Sequence, residues 1–316
     1  MKIAFHDNSL SLRGTTVAIY DWAYWTRHYL GIDPIIMYDT SHPANNVDAI
    51  SKFEKEFPVF GYSSKSEIDK ILSENNCDCF LMEKGGKPDG VISTVAKNLV
   101  NAISICSVSD IHGDVYAMGS KWLSKITDYK IPYVPYMVHL PDVEDDMRDE
   151  LNIPKDALVF GRNGGWETFD IQFVKDAIHQ ILNERSDVWF VFQFTHPFIE
   201  HERVIYLPGS SDMNTKVKFI NTCDVMLHAR YVGESFGLSC AEFSIRNKPV
   251  ITYHKSPERN HIDTLDERGI YYEDYSDILH IFRNLDKDEI NSLEWNCYQD
   301  YTPEKVVQKF KEVYLD

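Results

Sequence analysis

Apolar runs of four to six residues alternate with segments of helical period along almost the whole 316-residue chain. That alternation constrains the fold most, because strand-then-helix repetition buries its apolar runs in largely parallel sheets covered by helices. In the first half the pattern predicts strands at KIAF (2–5), PIIMY (34–38), CDCFLM (77–82), NAISIC (101–106), VYAMGS (115–120) and YVPYMV (133–138). A long helix, TTVAIYDWAYWTRHYLG, fills the first gap and has a glycine to stop it. Its aromatics Tyr20, Trp22, Tyr24 and Trp25 follow helical spacing and read as core.

The segment HLPDVEDDMRDELNIPKD (139–156), with seven acids and two prolines, reads as an interdomain connector with a short helix. Its acid cluster is that of a solvated helix face. The alternation then restarts with strands at 157–162, 188–194, 204–208, 224–229 and 249–254 and helices at 168–184, 212–223 and 236–246. This gives an N-terminal Rossmann-like domain over 1–140 and a C-terminal one over 141–300. An amphipathic helix over 301–316 is placed to pack back on the first domain. A chain of this length suits two cores rather than one.

Composition excludes several classes. A net charge of −17, with no offsetting basic stripe, opposes a nucleic-acid partner. No apolar run approaches the roughly 20 residues of a membrane span, and the N-terminus lacks a signal peptide's apolar region. Six cysteines, of which only Cys77 and Cys79 are close, make neither a disulfide framework nor a zinc pattern. Reduced thiols in a cytoplasmic protein are expected.

The stretch GESFGLSCAEF (233–243) carries the chemistry, with Glu234 and Glu242 eight positions apart around a Phe-Gly turn. It follows the strand DVMLHA and opens a helix. In a parallel sheet, ligands bind at the carboxyl ends of strands, where the next helix offers free N–H groups and the positive end of its dipole. Ser235 is expected as the helix N-cap, and Gly237 allows close approach. The place suits a diphosphate, flanked by carboxylates that accept hydrogen bonds from vicinal hydroxyls. The spacing alone equally describes a loop acid and an exposed helix acid.

The run from Glu234 to Glu242 resembles the E-x7-E motif of retaining glycosyltransferases of family 4, which have the GT-B fold. Supporting it are the loop Arg13-Gly14-Thr15-Thr16 after the first strand, the pair Gly161-Arg162 and the strand PVITY after the motif helix. The resemblance implies two Rossmann-like domains facing a cleft that holds the active site. It implies transfer of a sugar from a nucleoside diphosphate sugar to a glycan, lipid or small-molecule acceptor, with retention, no cofactor and no obligatory metal. By it, Glu234 binds donor sugar hydroxyls and Glu242 the ribose. The backbone of Phe236, Gly237 and Leu238, beside Ser235, holds the phosphates, and Arg162 neutralises them.

One position departs from the family's pattern. Where a lysine is usual five residues after the arginine, this chain has Glu167. Glu167 is expected to face away from the phosphates, with Arg230 as the substitute cation or else in a surface ion pair. His112 occupies a loop where relatives place a histidine near the donor sugar, though it also reads as an incidental loop histidine. Gly14 and Thr15 suit phosphate, acceptor or a plain tight turn. Two other readings stand beside the transferase: a nucleotide-sugar epimerase of the same fold, and a sugar-nucleotide binder whose catalysis has lapsed.

Overall fold

The computed structural model describes all 316 residues, which form two compact units. Unit 1 comprises Met1–Met137 and Asp300–Asp316, and unit 2 comprises Val138–Gln299.

Unit 1 is built on a six-stranded sheet of β1 (Lys2–Asp7), β2 (Asp33–Asp39), β3 (Val59–Tyr62), β4 (Cys79–Lys84), β5 (Lys97–Ala102) and β6 (Val115–Met118). The strands run parallel in the spatial order β3-β2-β1-β4-β5-β6. Its helices are α1 (Gly14–Leu30), α2 (Val47–Glu54), α3 (Ile68–Glu74) and α4 (Lys121–Ile126). Helix α1 ends as the sequence requires, with Gly31 in the left-handed conformation. It buries Ala18, Ile19, Trp22 and Ala23, and Trp22 meets the C-terminal segment, its ring centroid 6.4 Å from Phe310.

Unit 2 repeats the plan with β7 (Leu158–Asn163), α5 (Gln172–Glu184), β8 (Val188–Gln193), β9 (Val204–Leu207), α6 (Met213–Thr222) and β10 (Val225–His228). After these come the short β11 (Gly233–Glu234), then α7 (Leu238–Ile245), β12 (Val250–Tyr253), the short β13 (Glu258–Arg259), α8 (Asn260–Leu265), β14 (Ile270–Tyr272), α9 (Tyr275–Asn284) and α10 (Lys287–Asn291). The six main strands are ordered β14-β12-β10-β7-β8-β9, and β11 pairs only with β13. Helix α11 (Pro303–Phe310), with proline in its first turn, belongs to unit 1.

Counted within each unit, both sheets have the order 3-2-1-4-5-6, so each is a doubly wound Rossmann-like sheet. The core strands are fully covered. Phe160, Phe190 and Phe282 pack together with centroids 5.0 to 5.6 Å apart, and each is 0% exposed.

Three expectations change. The segment 133–138 is not a strand; it makes a single bridge, Tyr133 to Met118. Pro135 removes an N–H group that a ladder would need, and Pro132 stands just before the segment. The fourth predicted strand, 101–106, lies too far along: β5 spans Lys97–Ala102, and Ile105 is 51% exposed. The acidic stretch 139–156 forms turns rather than a helix. It is fastened to unit 2 by Arg148, whose guanidinium reaches Asp224 at 2.8 Å and the carbonyls of Pro154, Lys155 and Ala157.

Candidate active site

A doubly wound sheet opens a crevice where the chain switches direction, beyond the carboxyl ends of its two central strands. In unit 2 those strands are β7 and β10. Arg162 lies near the end of β7, and β10 ends at His228, from which the chain turns through residues 229–237 into α7. The E-x7-E segment therefore arrives at the switch point.

Two glycines shape this turn. Gly233 has φ +80°, and a Cβ there would lie 2.1 Å from the Glu258 carbonyl oxygen, so only glycine lets β11 lie on β13. Gly237 has φ +90°, and a Cβ there would sit 3.0 Å from that of His261. Gly237 is also the residue that opens α7, in the left-handed conformation and without a side-chain cap. Ser235 is thus not the N-cap; the helix starts two residues beyond the place its hydroxyl could serve. The first helical bond runs from the Ala241 amide to the Gly237 carbonyl, at 3.0 Å. The amides of Leu238, Ser239 and Cys240 accordingly have no acceptor within the helix. Phe236 is buried, and its carbonyl accepts from Asn260 Nδ2 at 2.8 Å.

The side chain of Glu234 is 25% exposed and is held at both oxygens. Oε1 lies 3.2 Å from His228 Nε2, and Oε2 accepts from Arg230 Nη1 at 3.0 Å. Burial would raise the pKa of this carboxyl, but the His228 bond and the nearby His228 and Arg230 charges outweigh it and pull it to about 2. Glu234 is therefore ionised at neutral pH. A carboxylate has about four lone-pair sites, so two remain for hydroxyls. Arg230 is not a free cation, being already paired with Glu234. Nearby Glu258 has its pKa raised, by burial first and by Glu234 among the lesser causes.

Glu242, on the first turns of α7, is buried and paired with Lys216 of α6 at 2.7 Å. It is therefore not the exposed helix acid that the spacing alone also allowed. No group of three or more His, Cys, Asp or Glu side chains is arranged to hold a metal ion.

Arg162 is 4% exposed and serves as a brace. Nη1 donates to the Phe194 carbonyl at 3.1 Å and to Thr195 Oγ1 at 2.5 Å. Nη2 donates to the Gly165 carbonyl at 2.8 Å and to Thr168 Oγ1 at 2.6 Å. Both terminal nitrogens are engaged with protein oxygens, joining the loop after β7 to the end of β8. Burial pulls its pKa down to about 10, so it stays cationic at neutral pH. Glu167 lies exposed on the braced loop, next to a half-exposed Trp166.

In unit 1 the switch point lies between β1 and β4. One step past the register pair His6–Met82 come Asp7 and Glu83, both buried. Asp7 Oδ2 accepts from Thr16 Oγ1 at 3.0 Å, in the first turn of α1 beside Gly14 and Thr15. Burial raises its pKa to about 6, against the opposing hydrogen bonds from Thr16, Thr15 and the Ser9 and Asn8 amides. Glu83 is raised well above its usual range by burial first and by Asp7 second. Glu83 Oε1 accepts from the Tyr136 hydroxyl, whereas Oε2 has no partner. His112 sits half-buried in the loop between β5 and β6, with Nδ1 2.8 Å from the Asp110 carbonyl and Nε2 unpartnered.

Sequence reading did not find His228, Lys216, Asp7 or Glu83. The only available signal was position: Asp7 and His228 close their strands, and Glu83 is the last residue but one of β4, at the switch points.

No protein-family model matches the chain, and no curated protein matches it in sequence. Solved structures match over its whole length. The Anabaena HepE protein in complex with UDP-glucose is 14% identical, with a TM-score of 0.75, covering 99% of this chain and 98% of that one. A glycosyltransferase from Rickettsia africae is 13% identical at a TM-score of 0.70, covering 100% and 99%. Sucrose-phosphate synthase from Thermosynechococcus elongatus is 12% identical at 0.70, covering 99% and 98%. At such identities the likeness concerns fold, and the fold of this chain is that of the GT-B glycosyltransferases.

Proposed function

We propose that this protein is a glycosyltransferase that moves a sugar from a nucleoside diphosphate sugar to an acceptor hydroxyl, with retention of anomeric configuration and without an obligatory metal. The observation that carries the reading is the turn at the unit 2 switch point. There an ionised, half-satisfied Glu234 precedes a helix with free first-turn amides, and Glu242 follows on the same helix. HepE, of the same fold, has been seen with UDP-glucose and with UDP, which supports a donor of that class. The E-x7-E resemblance supports retention.

In this reading the amides of Leu238 and Ser239, with the loop of Ser235, Phe236 and Gly237, receive the diphosphate. As the sugar–oxygen bond breaks, negative charge builds on that diphosphate, and a fixed helix end stabilises it without reorganising. Glu234 accepts from donor sugar hydroxyls on its two remaining lone pairs. Glu242, held by Lys216, accepts from the ribose. Arg162 acts through the loop it braces, and Arg230 offsets the charge of Glu234. His112 is assigned to the donor-sugar side of unit 1.

The α1 end, with Gly14 and Thr15, is assigned to the acceptor rather than to phosphate. Asp7 and Glu83 stand beside it; carboxyl groups exchange hydrogen bonds with hydroxyls in either protonation state, and Asp7 once ionised repels anions. The acceptor itself is taken to be a glycan, a lipid or a small molecule. Six free cysteines support a reducing, cytoplasmic setting.

Calorimetry with UDP and UDP-glucose tests the site. Glu234→Gln should weaken UDP-glucose by roughly tenfold, the scale of one lost charge-assisted hydrogen bond, and leave UDP within twofold. Release of UDP from UDP-glucose should depend on added acceptor. Conversion of the donor to another sugar nucleotide without acceptor would identify an epimerase instead, and binding with no turnover a lapsed enzyme.

A further inference from the structure

We propose that His228 is the positioning residue for Glu234, presenting an Nε2–H to its carboxylate in either charge state of the imidazole through a buried relay to Thr252 and His261. The proposal rests on the donor-sugar role given to Glu234 above.

His228 and Thr252 are register partners on the neighbouring strands β10 and β12. Nδ1 of His228 lies 2.8 Å from Thr252 Oγ1, and Nε2 of His261, on α8, lies 3.0 Å from the same oxygen. His228 is 6% exposed, and Thr252 and His261 are 0% exposed. No water is needed to join the four groups; they form one chain from Glu234 to His261.

Proton counting fixes its direction. Thr252 has one hydroxyl proton and faces two ring nitrogens, so it donates to one and accepts from the other. With neutral His228, Nε2–H points at the carboxylate and Nδ1 is bare. Thr252 then donates to Nδ1 and accepts from His261 Nε2–H. With His228 as imidazolium, Nδ1–H donates to Thr252, Thr252 donates to His261, and the His261 proton moves to Nδ1. In both arrangements Glu234 keeps its donor. His261 is held neutral by burial first and by the His228 charge second.

The two arrangements differ in what His261 Nδ1 must do. That atom is buried without a hydrogen-bond partner. A bare lone pair there is tolerated better than an unpaired N–H, because under-satisfied acceptors are commoner than orphaned donors in folded proteins. In either arrangement the Nε2–H of His228 stays on the Glu234 carboxylate. The consequence is a carboxylate of fixed orientation whose two unused lone pairs face the donor sugar, so His228 governs sugar affinity without touching sugar.

Two substitutions separate this role from packing. Glutamine places its amide N–H where Nε2–H was, and asparagine places its polar atoms near Nδ1. His228→Gln should bind UDP-glucose and UDP within about threefold of wild type. His228→Asn should lose roughly tenfold for UDP-glucose and keep UDP within twofold. The reverse ranking, or wild-type UDP-glucose affinity in His228→Asn, overturns the proposal. A parallel Glu234→Gln titration separates the two levels. If it leaves UDP-glucose binding unchanged, the sugar role of Glu234 is wrong and the inference falls with it. If it weakens binding while His228→Asn does not, only the inference fails. Nitrogen-15 spectra of histidine-labelled wild type need no variant at all: they should show the His228 proton on Nε2 at neutral pH, and a proton on Nδ1 alone refutes the relay.

Discussion

Asp7 makes the fold of unit 1 pH-dependent in a direction opposite to most carboxylates. It closes β1 under the first turn of α1, 6% exposed, and burial lifts its pKa from the ordinary 3.8 to about 6. The folded state thus holds the Asp7 proton more tightly than the unfolded chain does. Stability from this group is complete below about pH 4 and falls as pH rises toward 6. At about 1.36 kcal/mol for each pH unit, the loss by pH 7 is on the order of 3 kcal/mol. The perturbation is Asp7→Asn, which keeps the shape and one carbonyl oxygen for Thr16. Urea unfolding of both proteins, followed by exchange of β1 amides so that unit 1 is read by itself, gives the stability difference at each pH. Relative to wild type, Asp7→Asn should gain roughly 3 kcal/mol between pH 4 and pH 7. A flat difference, or one in which wild type gains with rising pH, refutes the reasoning. It would mean the α1 end stabilises a charged carboxylate and is an anion site after all.

Further outcomes follow from the pairings. Lys216→Met strands Glu242 as a buried charge and should destabilise unit 2 by ~3 to 5 kcal/mol in denaturant titration. Lys216→Met with Glu242→Leu should recover most of that stability while still binding UDP poorly. Arg162→Met should destabilise the loop after β7, raising exchange at 164–168 and 194–195, and should weaken UDP only through that disorder; Glu167→Gln should leave UDP affinity within twofold. Transfer should persist in excess chelator, and activity lost to chelator and restored by manganese would contradict the helix-end account of charge.

The fold was legible because its signal is periodic and local. Each strand of unit 2 from 157 to 254 lies within a residue or two of its apolar run, and α1 stops at its glycine. Where the reading slipped, local composition misled it. Ile103 and Ile105 drew β5 too far along, and the apolar 133–138 is interrupted by proline. The short α2, β3 and α3 carried too little pattern to register. In the site, Glu234, Gly237 and Glu242 came from spacing, but their environment did not. Ser235 was misread as a cap because a left-handed Gly237 starts the helix without one. Lys216 meets Glu242 across 26 residues of sequence and Thr252 meets His228 across 24, so only the sheet brings them together. Arg162 keeps its sequence-read place at the strand end, yet its four partners come from loops that no motif marks.

The central claim is that a nucleoside diphosphate sugar binds at the start of α7. Amide hydrogen exchange with and without saturating UDP-glucose tests it directly, because ligand binding slows the opening of the segment it holds. Protection should concentrate at residues 234–242 and extend to the α6 turn that carries Lys216. Absence of protection there, with UDP-glucose bound elsewhere or not at all, would contradict it.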